Sequence, residues 1–562
     1  DEISEYPPAR KGNSFPCAPP LLSAADASKK ENTMRESSIT LKVIIVLILV
    51  ICAQGMGKTV ILPQFRNITA AVDTLMSGDT LLCDSGIYQG FEITKQYDSL
   101  NPLVIKSKVL HGAQVITGGN CHFIGAQGVV LDGFEVRGPN ITATSGLIRI
   151  ENNGSFIANY ITIKNCHVHH APLEADCIKV SRARNISLIG CDLHDPGLRA
   201  AGNGPQETCD WIDVKNGLVR GNLFRWTTQP ARQYFNAKAG SRDILIENNI
   251  FLNHNSPTAD QAIQLGGYSS LEYIVAAGEE YEGINQIARN NIIIASTTSA
   301  IGIVNVNGAY IYNNLIYNCV TNDLISARTA YGSGSSGGNT NVYIFNNIFN
   351  NTNGDMPRVL SGTTAILSNV FHGNNLYYNA GVRILTGFYN PNTENGAIIS
   401  DPQIAMLDSG DYNAIFNSLS ISATSQAIDH GTIPDSVTPG VPFDMRGFSR
   451  PLGSAYDIGP LEFNPTKTEK NGLPEIKKEG ILVHPNPFNP ATTITLNTAA
   501  FNRQYTLEIS DIYGRLIDKF KTNGAALNNG FIWHAQGRPS GIYIITVHGG
   551  AHVFSERLVL LK

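Results

Sequence analysis

Between residues 129 and 378 one short pattern keeps returning: branched apolar residues, two small or polar residues, then a second apolar run. It stands as VVLDGFEVR (129–137), ITIKNCHVH (161–169), ISLIGCDLH (186–194), GLVRGNLFR (217–225) and ILIENNIFL (244–252). It continues as QIARNNIII (286–294), AYIYNNLIY (309–317), VYIFNNIFN (342–350) and VFHGNNLYY (370–378). The sixth position holds Cys166, Cys191, Asn222, Asn249, Asn291, Asn314, Asn347 and Asn375, and Phe134 takes it in the first copy after a one-residue adjustment. Repeat steps between 20 and 50 residues mark a solenoid. Val, Ile and Phe runs with Asn and Gly between them, and no helix-length amphipathic stretch, require short strands in every turn. The pattern therefore predicts an all-β chain whose main body is a parallel β-helix. Its recurring Asn should form a ladder at one bend, with Cys166 and Cys191 taking the same place in two coils. The uneven steps between copies place inserted loops at the bends, where such folds carry binding sites.

The two ends follow other patterns. Residues 1–33 carry Pro7-Pro8 and Pro19-Pro20 and no periodicity, and are expected to be upstream sequence outside the fold. From Met34, Arg35 and Lys42 precede an apolar run, Val43–Ala53. That run is short against the roughly 20 residues a bilayer span needs, and it fits the core of a secretory signal over 34–55. A single membrane anchor is the other reading of it. Residues 56–463 are assigned to the β-helix and its N-terminal cap, 464–480 to a Lys/Glu-rich linker, and 481–562 to a second module. In that module ITL, YTLEI, LIDKF, FIWHA, GIYIITV and ERLVLL follow in close order, a pattern for about seven short strands in a small β-sandwich.

Composition adjusts this picture only slightly. The net charge of −5 at pH 7 gives no basic field for nucleic acid. Charged residues make up 15% of the chain, because Asn and short branched strands replace the charged faces of helices. Export would permit disulfides. Seven cysteines follow residue 56, none in a CxxC; Cys177–Cys209 is a candidate bridge, and the others fit small buried side chains.

Two segments carry resemblances. AVDTLMSGDTLLCDSGIYQGFEI (71–93) resembles the capped start of secreted pectate-lyase-like β-helices, and 401–431 with YDIGPLEF (456–463) resembles their closing turns. The likeness covers about 60–463 and implies a surface for an extended polymer, in a superfamily that also contains proteins other than lyases. HPNPFNPATTITL (484–496), DIYGRLI (511–517) and PSGIYIITV (539–547) resemble the C-terminal sorting domain of the type IX secretion system of Bacteroidetes-like bacteria. This implies passage through the outer membrane by that machinery, to the cell surface or the medium.

The densest polar stretch, 166–264, is where chemistry is expected. An acidic polysaccharide needs its uronate carboxylate neutralised and the neighbouring proton removed. Lys238, Lys215 and Arg232 are the expected catalytic residues, Arg232 because its planar fork matches a carboxylate. Lys179, Arg225, Trp226, Tyr234, Gln264, His170 and His194 are expected to hold the sugar. Asp176, Asp210 and Asp213 supply the oxygens that calcium, the candidate cofactor, would take. Lys179, Asp213, Lys238 and Gln264 are placed on one face, in coils about 4.8 Å apart. A monomer is expected. Two functions compete: a lyase cleaving an acidic polysaccharide by β-elimination, and a non-catalytic glycan-binding or adhesin-like surface protein.

Overall fold

The computed structural model describes residues 57–464 and 481–561 apart from short loop segments, the longer being 330–337, 380–385, 433–440 and 497–503. The regions assigned to the upstream segment, the signal and nearly all of the linker lie outside the described residues.

Each coil contributes strands to three parallel stacks. Sheet A runs from Thr59–Leu62 through Ser241–Glu247 and Val306–Tyr312 to Leu367–Gly373. Sheet B consists of three-residue strands, among them His167–His169, Asp192–His194, Leu223–Arg225 and Ile292–Ile294, ending beside Ile398–Ile399. Sheet C includes Ser145–Glu151, Phe235–Lys238, Ile263–Gly266 and Ile301–Val304. Two long strands, Ala175–Ile189 and Cys209–Arg220, pass through C into A. This is the expected β-helix.

The bend from A to B explains the double Asn. Its first residue must adopt positive φ, and Gly190, Gly221, Asn248, Asn290, Asn313, Asn346 and Asn374 all do so. Only Gly and, at some cost, Asn enter that region readily. The second residue forms the ladder. Asn222 donates through its amide to Asn249 (2.9 Å), Asn249 to Asn291 (3.0 Å), Asn291 to Asn314 (3.1 Å), Asn314 to Asn347 (3.0 Å) and Asn347 to Asn375 (3.1 Å). Each also donates to a carbonyl of the preceding coil, as Asn314 does to Ala288 (2.9 Å). Cys191 joins the ladder by its backbone N–H to Asn222 (2.8 Å). Glu394 ends it, accepting from Asn375 (2.8 Å).

The N-terminal cap is the short helix Ile68–Val72, whose buried Ile68 and Val72 cover the first coil. The segment after 400 behaves differently from the expectation. It does not add closing turns but lies as a strap along the outside of sheet B. Ile415, Phe416, Leu419, Met445, Ile458 and Leu461 pack on Leu223, Ile250, Ile292, Leu315, Ile348 and Leu376. The first Asn of each bend holds it: Asn290 donates to Phe443 O (2.9 Å), Asn313 to Gly459 O (3.0 Å), Asn346 to Thr432 O and Asn374 to His430 O (2.9 Å). In these four pairs one Asn thus binds the neighbouring coil and the other binds the strap.

All seven cysteines in the described residues are free and buried. Cys177 and Cys209 form no bridge; the Cys177 thiol donates to His194 O. The tail folds into a three-stranded and a four-stranded antiparallel sheet around Trp533, Leu507, Ile545 and Leu558, the expected sandwich.

Candidate functional site

Register assembles two parallel rows on sheet C. Lys179 pairs with Asp210, Asp210 with Asn236, and Asn236 with Gln264. Three positions before these stand Asp176, Glu207, Gln233 and Gln261, the last three just ahead of their strands, and they make the second row. All except Lys179 are buried. The rows are charged at one end and amide-lined at the other.

At the charged end, Lys179 reaches Asp176 (3.2 Å) and Asp210. Lys238, two residues beyond its row member Asn236, reaches the other oxygen of Asp210 (2.9 Å). Arg199 pairs with Glu207 (3.2 Å), and Arg232 donates through Nε to Asp260 (2.8 Å). Burial pushes the Asp210 carboxyl up, but Lys179 and Lys238 outweigh it and hold it well below the usual range. Burial dominates at Asp176 and keeps its carboxyl well above that range. Both lysines lose solvation, yet Asp210 keeps each above its ordinary value. Lys179 and Lys238 retain 20% and 16% side-chain exposure, so solvent reaches the cluster through them.

The amide end contains buried polar atoms with no hydrogen-bond partner among the described residues. They are both amide atoms of Asn236 and of Gln261, Gln233 Oε1 and Thr208 Oγ1. Buried polar groups are nearly always paired, so a group of orphans calls for a ligand, an ion or water.

The other expected site residues fall elsewhere. Asp213 does not share the row: it ends the sheet C strand at positive φ and faces Arg184 (3.5 Å). Lys215, past that bend, belongs to sheet A and pairs with Glu279 (3.2 Å), away from Lys238's partner Asp210. Tyr234 is wholly buried and donates to Leu252 O (2.7 Å), so it is a core residue with no surface for sugar. Arg225 forms a fork with Asp192 (2.9 and 2.8 Å), and Trp226, part exposed, donates to Asn253 O (2.6 Å). Both stand on or just after sheet B. Gln264 is in the row, bonded to Gln233 (3.2 Å). Glu207, Gln233 and Asp260 were not expected. Aligning the four loops on their following strands reveals the first two from sequence alone.

His170 and His194 belong to a second group beside the upstream strands of sheet B, His167–His169 and Asp192–His194. His167, His169 and His194 stack there, with Asp195 accepting from His194 Nδ1 (3.0 Å). Burial lowers His167 to about 4, and burial with the neighbouring imidazoles lowers His169 to about 2, so both are neutral at pH 7.

The calcium expectation meets a mixed geometry. Carboxylate oxygens of Asp176, Glu207 and Asp210 lie within 4.8 Å of one another, an oxygen set chemically suited to a hard cation. The Lys179 ammonium, however, bridges Asp176 and Asp210. A cation there would have to displace it, so the set as it stands does not fit calcium.

His254 supports this site from below. It contacts Thr298 Oγ1 (2.8 Å) and Arg232 O (3.1 Å), and burial lowers it to about 4 from 6.5. Between those values the unfolded chain takes up a proton that the folded chain refuses, so stability falls as pH drops from 6.5 to 4. The shift corresponds to about 3 kcal/mol. Urea unfolding at stepped pH is expected to show this slope in the wild type and a shallower one in His254→Gln, the remainder coming from His167 and His169.

Comparison with known proteins gives two results. Residues 482–561 match the model of the secretion system C-terminal sorting domain, so the chain ends in the module that directs export, and the protein is secreted or held at the cell surface. Among solved structures it is similar to pectate lyase Pel9A, at 14% identity and TM-score 0.43, over 73% of this chain and 97% of that one. It is also similar to the family 6 polysaccharide lyase Pedsa3628 from Pseudopedobacter saltans (11% identity, TM-score 0.38, 61% and 91% of the two chains). A third is the A-module of the mannuronan C-5 epimerase AlgE4 from Azotobacter vinelandii (12% identity, TM-score 0.33, 59% and 95%). No curated protein matches by sequence.

Proposed function

We propose that the β-helix binds an acidic polysaccharide along sheet C and cleaves it by β-elimination at Lys179, Asp210 and Lys238. The observation that carries this reading is the Lys179–Asp210–Lys238 cluster, in which two part-exposed ammonium groups share one buried carboxylate. Lys179, part open to solvent, meets the uronate carboxylate. Arg232 and Lys179 neutralise the carboxylate and stabilise the enolate-like charge as it develops. Lys238 takes the proton beside it, a carbon–carbon double bond forms as the glycosidic C–O bond breaks, and the departing sugar oxygen takes a proton from water. Two ammonium groups share one Asp210 carboxylate. Loss of the Lys238 proton therefore leaves a balanced Lys179–Asp210 pair. Asp210 holds Lys238 cationic at neutral pH, so the reactive form grows as pH rises and activity should increase into the alkaline range. Because Lys179 stands where a cation would sit, calcium is not required.

The test is incubation with pectate, alginate and glycosaminoglycans, with EGTA or with added calcium, following the absorbance of unsaturated product. Product is expected in EGTA, and Lys238→Ala should lose at least about 10²-fold in kcat, the usual scale for a general base, with circular dichroism unchanged. Saturable glycan binding without product on any polymer would favour the second reading, a surface binding protein, for which two lysines fixed as cations would serve equally.

A further inference from the structure

The outward face of sheet B changes character along the stack. From Leu223 to Leu376 one outward row is apolar and roofed by the strap. In the coils before it the same row holds Glu135, His167 and Asp192, and the row beside it holds Arg137, His169, His194 and Arg225. The imidazoles of two successive coils meet there. His167 Nε2 lies 2.9 Å from His194 Nε2, and the His169 ring stacks on His167 (4.0 Å) and His194 (4.7 Å). One donor nitrogen from each of the three lies within 4.8 Å of the others.

The surroundings fix the tautomer. Asp195 accepts from the backbone N–H groups of Thr227, Thr228 and Gln229 (2.8, 3.1 and 3.1 Å) and from His194 Nδ1–H at 3.0 Å. His194 Nε2 is left as a bare lone pair facing His167. Glu135 stands 3.3 Å from His169 Nε2, and His170 Nδ1 stands 2.6 Å from His169 Nδ1. A carboxylate behind a histidine is the arrangement that orients metal-ligating imidazoles. Imidazole donors select zinc, nickel, cobalt or copper over calcium and magnesium.

We propose that His167, His169 and His194 bind one transition-metal ion of the zinc class, with Asp195 holding His194 in its ligating tautomer. The ion joins the coil of His167–His169 to the coil of His194, on the part of sheet B that the strap's apolar roof leaves uncovered. It is a staple between coils, separate from the Lys179–Asp210–Lys238 cluster.

The experiment uses untagged, chelator-treated full chain titrated with cobalt(II), followed by zinc(II) competition. A visible cobalt band at one ion per chain, displaced by zinc, is expected. Zinc should also raise the Tm by a few degrees at ~100-fold excess over Kd. His167→Gln, at a part-exposed position, should fold normally and lose the band and the shift. Asp195→Asn should weaken binding about 10–100-fold, and Lys238→Ala should leave it unchanged. Absence of the band, its persistence in His167→Gln, or an equal Tm rise with calcium would overturn the proposal.

Discussion

Arg450→Ala is expected to release the strap and cost about 3–5 kcal/mol, the usual cost of breaking a fully buried ion pair. Both Arg450 and Glu462 have side chains closed to solvent, and they meet at 2.6 Å. Arg450 also donates to Gly459 O (2.7 Å), Asp457 O (3.1 Å) and Asn290 Oδ1 (3.3 Å). Removing the guanidinium leaves the buried Glu462 carboxylate without its counter-ion, held only by the N–H groups of Leu452 and Asp457 (2.8 and 3.0 Å). The damage should appear first in the strap, as faster hydrogen exchange over 441–462 and dye binding to the bared Ile292, Leu315 and Ile348 row. The double variant Arg450→Met, Glu462→Leu should be milder than the single one, since no lone charge is left behind. A single variant as stable as the wild type would show that the strap is held by its apolar contacts alone.

The second large effect belongs to the ladder. Asn314→Ala removes the acceptor for both the backbone N–H (3.0 Å) and the amide (3.1 Å) of Asn291. It also removes the donor to Ala288 O (2.9 Å) and to Asn347 (3.0 Å). A buried unsatisfied group costs about 1–3 kcal/mol, so a loss of about 3–5 kcal/mol is expected in chemical denaturation. Asn222→Cys should cost less, because the preceding coils already run Cys191 and Cys166 in that place, with the Cys166 N–H directed at Cys191 Sγ (3.4 Å). Equal losses in the two variants would argue that side-chain volume, rather than the amide chain, sets stability there.

The contrast between Asn314 and Asn313 shows what the sequence could reveal. Asn314 is legible because its partner is the same residue type one coil away, and periodicity exposes it. Asn313 was equally visible as a repeat, but its partners, Asp457 O and Gly459 O, lie more than 140 residues away and share no period with it. The strap was hidden for the same reason: an apolar row on the outside of sheet B looks like an inward row until something is found to cover it. At the site, the row of Lys179 and Gln264 was legible in type, but Asp213 was given the place that Asp210 holds. The left-handed bend at Asp213 ends the strand one residue after Ile212, and counting back from the ladder does not detect that bend. Tyr234 was misread because an aromatic beside an inserted loop looks exposed, whereas its ring lies among Phe224, Phe251 and His254.

A stack in which every coil touches only its two neighbours should fray from its ends, one rung at a time. The strap forbids this over the coils it crosses. Asn290, Asn313, Asn346 and Asn374 stand on four successive coils and grip one continuous stretch of chain. A coil near the C-terminal end cannot peel away without detaching the segment that also fastens its neighbours. The downstream part of the solenoid should therefore melt as a block, with a sharp transition. The upstream coils, which that fastening does not reach, should open gradually and first.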